Sequence, residues 1–496
     1  MFKKILIANR GEIAVRVIRA CREMGIKSVA IFSETDRSAM HVEMADEAVF
    51  IGEPPPLRSY LNMDSILRAA RLTGCEAIHP GYGFLAENHK FSERCEAEGI
   101  TFIGPDSKAQ MLVGDKIASR KAMSEVGVPV IPGMRSAGKD IEEFKKAADR
   151  LGYPVMVKAS AGGGGKGMRI VSDPSKLKGC IEEGRREAGS AFGDDTVYLE
   201  KCLVRPRHIE FQILADKEGN AIHLFERECS IQRRHQKIVE ESPSTALDSE
   251  LREKMGRAAL DVVRATGYTN AGTVEFLLDE NGDFYFLEVN ARIQVEHPVT
   301  EMVTGIDLVK WQIRIAAGER LSVKQEDVVQ RGHAIECRIY AEDPANNFFP
   351  SLGKIVFVKN PEGPGIRVDS GIYSGYEVSR YYDPILSKLI VWGQNRDESI
   401  RRTVCALSDY IIIGIETTIP FLIDLVKHPD FLNGAIATDF LERNFKMWKK
   451  SDKCDLLDIA LVSAALSGEE IQIGIKSKKA IISPWNMLGK WRIGEK

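Results

Sequence analysis

AGTVEFLLDENGDFYFLEVNARIQVEHP, residues 271–298, carries most of the information about this chain. Thr273 to Leu278 is β-branched and apolar, and a second such run starts at Phe284 after Asp279-Glu280-Asn281-Gly282-Asp283. Asn-Gly between two strand-like runs signals a hairpin, because both residues tolerate the positive φ of a type I′ turn. With Asn281 and Gly282 as a two-residue loop, Glu280 faces Asp283, and counting back sets Glu275 opposite Glu288. Opposed Cβ atoms lie about 4.5–5.5 Å apart, so two carboxylates there repel unless a cation lies between them.

The second strand is expected to run from Phe284 to Val295. Glu288, Asn290, Arg292, Gln294 and Glu296 then share one face, and Leu287, Val289, Ala291, Ile293 and Val295 share the core face. Alternation alone describes a solvated amphipathic strand. The opposed Glu275 and the row of acid, amide, guanidinium, amide and acid point instead to an oxygen-lined divalent site. Glu275, Glu288 and Asn290 are its candidate ligands, and hard oxygen donors suit Mg²⁺ or Mn²⁺. Arg292 and Glu296 stand beside it as anion clamp and base. The run Phe286-Leu287-Glu288-Val289-Asn290-Ala291-Arg292-Ile293-Gln294-Val295-Glu296-His297 resembles the metal-and-bicarbonate strand of biotin carboxylases, members of the ATP-grasp superfamily.

The rest of the chain bounds that reading. Its 496 residues allow two to four domains, and 44% apolar with 28% charged residues is ordinary for a globular protein. A net charge of −3 argues against dedicated nucleic-acid binding. Nine scattered cysteines without a CxxC predict neither a disulfide framework nor a zinc ribbon. The apolar run Ile5–Ala8 is too short for a signal peptide, and no stretch is long enough to span a membrane, so a cytoplasmic location is expected.

Residues 1–113 alternate strand and helix, which predicts a Rossmann-like α/β domain. Its first turn, Asn9-Arg10-Gly11-Glu12, lacks GxGxxG and so argues against a nicotinamide site. Ile7 to Ala14 and the loop His79 to Asn88 again resemble biotin carboxylases.

Residues 114–330 are expected to form the ATP-grasp domain, with a lid over about 131–203. A strand ending at Lys158 leads into Ser160-Ala161-Gly162-Gly163-Gly164-Gly165-Lys166-Gly167, and another strand follows. Bare backbone amides make an anion nest, and such a loop is free to close over phosphates. GxGxxG matches formally at Gly162, Gly164 and Gly167, but a strand rather than a helix follows, so a β-hairpin lid is predicted. The cluster Arg233, Arg234, His235 and Lys237 is too polar for a core and reads as an anion-binding loop. Ser230-Ile231-Gln232-Arg233-Arg234-His235-Gln236-Lys237 also resembles the biotin carboxylase sequence. Residues 331–446 read as a mixed antiparallel C-terminal domain. Residues 447–496, with a helix expected over Leu456–Leu466, form a tail whose role is open.

The resemblance covers residues 1 to about 446. It implies ATP-dependent carboxylation of biotin with bicarbonate, through carboxyphosphate. Glu200, Lys201, Cys202 and Leu203 would read adenine, with the Glu200 side chain facing the amino group. Lys116, Lys158, Gly164 and Gly165 would hold phosphates, and His208, Gln232 and His235 would face ATP. Two Mg²⁺ or Mn²⁺ ions would sit on Glu275, Glu288 and Asn290. Lys237, Arg292, Gln294 and Val295 would bind bicarbonate, Glu296 would take its proton, and Arg338 would steady the biotin enolate. No Ala-Met-Lys-Met biotin-attachment sequence occurs, so biotin is expected on a separate carrier protein or biotinylated subunit. The other partners implied are a second copy, as a homodimer, and a carboxyltransferase. The final acceptor, an acyl-CoA or pyruvate, stays open, with the tail tilting toward a two-subunit pyruvate carboxylase. Three rivals are another ATP-grasp carboxylate–amine ligase, a nicotinamide-dependent dehydrogenase and a catalytically silent scaffold.

Overall fold

The computed structural model describes residues 1–134, 140–160 and 168–450. The chain opens with a parallel five-stranded sheet. Its spatial order runs Glu47–Gly52, Lys27–Ser33, Lys4–Ile7, Ala77–His79, Thr101–Phe102. Lys4–Ile7 is central and its apolar residues are buried, as the continuous Ile5-Leu6-Ile7 run requires of a parallel strand covered on both faces. Asn62 and Asn88 start the intervening helices by accepting the backbone N–H of Ser65 and Phe91, which would otherwise lack partners.

Residues 155–201 contribute a smaller antiparallel sheet, with Val155–Ala159 between Arg169–Val171 and Val197–Lys201. Helices Ile141–Leu151 and Leu177–Phe192 accompany it. Strand, glycine-rich segment, strand is therefore the observed order, as expected. Gly164, Gly165 and Lys166 themselves lie outside the described residues, as does the tail helix expected over 456–466.

The main sheet is antiparallel throughout and has eight strands. In order they are Phe284–Asn290, Asn270–Leu278, Arg207–Ala215, Ala221–Arg233, Gln236–Ser242, His333–Tyr340, Ile385–Gly393 and Ile366–Ser370. The sheet runs without interruption across position 331, because Gln236–Ser242 pairs with His333–Tyr340. Phe211, Val274, Phe276 and Phe286 pack against Met255, Ala259 and Val263 of the helix Ser249–Thr266. That packing leaves the opposite face free to carry polar groups.

Two turns differ from expectation. The hairpin of residues 270–290 closes with Asp279 N–H donating to Asp283 O at 2.9 Å, and only Gly282 has positive φ. This is a three-residue loop with a glycine bulge. It shifts the register by one residue, but Leu287 then bulges between Phe276–Phe286 and Glu275–Glu288. The two one-residue offsets cancel, so Glu275 does face Glu288. Leu287, expected in the core, consequently lines the cleft. The two-residue turn with two positive φ values occurs instead at Arg234 (+50°) and His235 (+67°), between paired Arg233 and Gln236. The strand begun at Phe284 ends at Asn290 rather than Val295, and Ala291–Glu296 forms a loop into the helix His297–Thr304.

Candidate active site

A cleft of about 880 Å³ opens over the polar face of the main sheet. Glu200 and Lys201, at the end of the strand Val197–Lys201, line it with Cys202 and Leu203, and Met156 and Ile170 supply apolar wall. Asn9–Ile13, Tyr82–Phe84 and Tyr382-Asp383 also contribute to it. All the predicted site residues that fall within the described residues line this one cleft: Lys116, Lys158, Glu200 to Leu203, His208, Gln232, His235, Lys237, Glu275, Glu288, Asn290, Arg292, Gln294, Val295, Glu296 and Arg338.

Three adjacent strands place Glu210, Glu275 and Glu288 in one row, since Glu275 pairs with Glu210 on one side and Glu288 on the other. The repulsion expected between Glu275 and Glu288 is met by lysines. Lys116 Nζ lies 3.4 Å from Glu288, and Lys237 Nζ donates to Glu275 at 2.8 Å. His208 Nε2 is 3.1 Å from the other Glu275 oxygen.

Lys237 is the centre of the site. Its Nζ donates to Glu210 at 2.5 Å, Glu296 at 2.6 Å, Glu275 at 2.8 Å and the Gln294 side-chain oxygen at 3.1 Å. Burial alone would push this ammonium toward neutrality, but Glu210, Glu275 and Glu296 outweigh it and keep it charged. Glu296, 1% exposed, bridges Lys237 and Arg338, which donates to its second oxygen at 2.9 Å. Burial raises the Glu296 carboxyl, yet Lys237, Arg338 and Arg227 together hold it well below the usual carboxylate range. It is therefore an anion at neutral pH. Arg338 is buried, and its Nε donates to Glu240 at 2.6 Å.

Two expected side-chain placements are corrected. The Glu200 carboxylate, expected to face a base edge, bridges Arg120 at 2.7 Å and Lys158 at 2.8 Å. Arg292 does not extend from a strand. Its loop position lets Nε donate to Glu87 at 3.0 Å and a terminal nitrogen donate to Asn290 Oδ1 at 3.1 Å.

Glu210, Arg227, Glu87 and Glu240 were not singled out by sequence reasoning. Glu210 had a signal: it alternates with His208 and Gln212 on the face that carries His208. Arg227 had none. It is fully buried and binds Glu210 at 2.5 Å, Gln212 at 2.7 Å, Thr300 at 3.0 Å and Thr273 at 3.1 Å, partners that only the sheet assembles.

A row of carboxylates crossed by lysines and arginines, with Met156, Lys158 and Ile170 of the antiparallel pair Val155–Ala159 and Arg169–Val171 in the same lining, defines a cleft for anionic, phosphate-bearing substrates. Three family models match the chain: "Biotin carboxylase, N-terminal domain" over residues 1–110, "Carbamoyl-phosphate synthase L chain, ATP binding domain" over 115–324, and "Biotin carboxylase C-terminal domain" over 336–443. A pyruvate carboxylase subunit of Methanothermobacter thermautotrophicus is 57% identical over 442 residues, which is 89% of this chain and 90% of that protein. The biotin carboxylase of a Nostoc species is 55% identical over 441 residues, covering 89% and 99% of the two chains. Among solved structures, the biotin carboxylase domain dimer of Hydrogenobacter thermophilus 2-oxoglutarate carboxylase, in complex with MgADP, ADP and bicarbonate, superposes with a TM-score of 0.89. It is 52% identical and covers 91% of this chain and all of that one.

The chain belongs to the biotin carboxylase family. It is an ATP-grasp ligase, and its reaction is the ATP-dependent carboxylation of biotin. The dehydrogenase and scaffold readings fall with that assignment, and the carboxylate–amine ligase is not favoured by it. Among the described residues, no helix is long and apolar enough to cross a membrane.

Proposed function

We propose that bicarbonate and ATP meet over Lys237, and that the observation carrying this reading is the convergence of Glu210, Glu275, Gln294 and Glu296 on that one ammonium. Backbone groups of Lys201 to Leu203 take the adenine edge between Met156 and Ile170. Lys116, Lys158 and the Gly164–Gly165 segment take the phosphates, with His208, Gln232 and His235 alongside. Glu275, Glu288 and Asn290 fit a divalent ion by donor chemistry. The two glutamates are paired in register, and Asn290 offers its side-chain Oδ1, which here accepts from Arg292 at 3.1 Å. Two Mg²⁺ or Mn²⁺ ions held there would neutralise phosphate charge.

Lys237, Arg292 and the Gln294–Val295 segment bind bicarbonate beside Glu296. A second anion next to Glu296 raises its proton affinity, so the carboxylate removes the bicarbonate proton as the oxyanion attacks the γ-phosphorus, the bond to the β-phosphate oxygen breaks, and carboxyphosphate and ADP form. Arg338, already on Glu296, stands ready for the enolate of biotin. Biotin rides on a separate carrier protein or biotinylated subunit, and a carboxyltransferase subunit completes the assembly. The domain limits are 1–113, 114–330 and 331–446. A homodimer, a cytoplasmic location and pyruvate as final acceptor complete the proposal; the last is favoured by the Methanothermobacter relative.

Phosphate release from MgATP, with and without bicarbonate and free biotin, tests the reading. Release requiring both is expected. Glu296→Ala should retain ATP affinity and lose bicarbonate-dependent release, and unchanged release would remove Glu296 as the base.

A further inference from the structure

Lys388 has no solvent exposure, lies on the strand Ile385–Gly393, and is absent from the chemistry above. Its Nζ donates to the backbone carbonyl of Val295 at 2.8 Å. It also lies 3.3 Å from Glu12 and 3.9 Å from Asp369. Asp369 is already neutralised by two hydrogen bonds from Arg367, at 2.9 and 2.7 Å. Glu12 begins the first helix of the chain and accepts the hydroxyl of Tyr82. Lys388 therefore links a wall of the cleft formed by residues 12 and 82 to the loop carrying Val295.

The Val295 carbonyl and the Glu296 N–H belong to one rigid peptide plane. Fixing that oxygen fixes the residue assigned to bicarbonate together with the start of the residue assigned as base. The other anchors of the loop act elsewhere: Glu87 accepts the Ala291 N–H and Arg292, the Gln294 side chain bonds Glu275 and Lys237, and the Glu296 carboxylate bonds Lys237 and Arg338, whereas Lys388 holds the Val295 carbonyl itself. A buried ammonium is also a poor choice for stability alone, because hydrophobic replacement of buried charges is often neutral or stabilising.

We propose that Lys388 is a positioning residue for the bicarbonate step. It sets the Val295–Glu296 peptide, and Glu12 holds its ammonium in place. This rests on the assignment of bicarbonate to Val295 and Glu296. The test compares the full chain with Lys388→Met and Glu12→Gln, reading phosphate release against bicarbonate and ATP separately, with melting temperature alongside. Lys388→Met is expected to raise KM for bicarbonate at least tenfold while KM for ATP stays within twofold. Glu12→Gln should shift the same parameter in the same direction by a smaller factor. If Lys388→Met does not fold, Glu12→Gln decides alone: a selective rise in bicarbonate KM supports the role, and unchanged kinetics overturn it. Equal loss toward ATP and bicarbonate in a folded variant also overturns it, since that marks a structural lysine. If the unmodified enzyme shows no bicarbonate dependence, the assignment of the site fails and the role of Lys388 falls with it; a bicarbonate KM left unchanged by Lys388→Met sinks only the latter.

Discussion

Arg227 shows how one residue supports a site it never enters. Its guanidinium has no exposure and donates to Glu210, which in turn accepts Lys237. Arg227→Met leaves the Glu210 charge short of one of its two cationic partners at 2.5 Å and should cost about 3–5 kcal/mol, measured by urea unfolding. Arg227→Lys should not restore it, because one ammonium cannot reach Glu210, Gln212, Thr273 and Thr300 together. A loss under ~1 kcal/mol would show that Glu210 is neutralised from elsewhere. Arg338 makes a different prediction, since it touches the base and faces the cleft. Arg338→Ala should impair biotin carboxylation more than bicarbonate-dependent ATP cleavage. Equal losses would place it with the base rather than with biotin.

At the scale of elements, the hairpin of residues 270–290 explains why a register can be right for an incomplete reason. Asn281-Gly282 suggests a two-residue loop, but the Asp279 carboxylate accepts N–H groups from Asn281 and Asp283 at 2.9 Å each. That local bonding stabilises the longer loop, and only Gly282 takes the left-handed conformation, at φ +86°. A Cβ at Gly282 meets no atom within 4 Å, so the cost of Gly282→Ala is backbone strain, roughly 1–2 kcal/mol. Melting should show that loss while the kinetic constants of the folded enzyme hold. A kinetic change of tenfold would mean that the loop communicates with the metal strand. Arg234 and His235 pose the reverse problem. Neither is glycine or asparagine, yet the hairpin holds both at positive φ, in the lining of the cleft.

Across the whole molecule, burial of neutral histidines sets the acid limit of the fold. Burial lowers His41 and His223 to about 4 and His79 to about 3, against an ordinary value near 6.5. The unfolded chain therefore takes up these protons first, and the native state is disfavoured as pH falls from about 6.5 toward 4. Each histidine contributes up to roughly 1.4 kcal/mol per pH unit over that window. Glu241 acts lower. Burial raises it, but His333 and Arg396 hold it at about 2, so its contribution is complete above about 4.5 and is lost as pH falls toward 2. Melting temperature should decline between pH 6.5 and 4. A flat profile there would mean that these histidines are charged or exposed in the native state.

The sequence by itself determined the alternating α/β opening, the pairing of the strands that flank the glycine-rich segment, and the row of acids and amides in the cleft. Periodicity of two or 3.6, glycine content and clustered charge are local properties, and a strand presents its alternate residues to one side whatever it pairs with. Only the tertiary structure decided that Leu287 bulges, that Ala291–Glu296 is a loop, and that Glu87, Glu210, Arg227 and Lys388 brace the site. Those facts depend on which strands become neighbours. A carboxylate on one segment finds its cation on another 205 positions away, as Glu87 finds Arg292, and no local pattern encodes that distance.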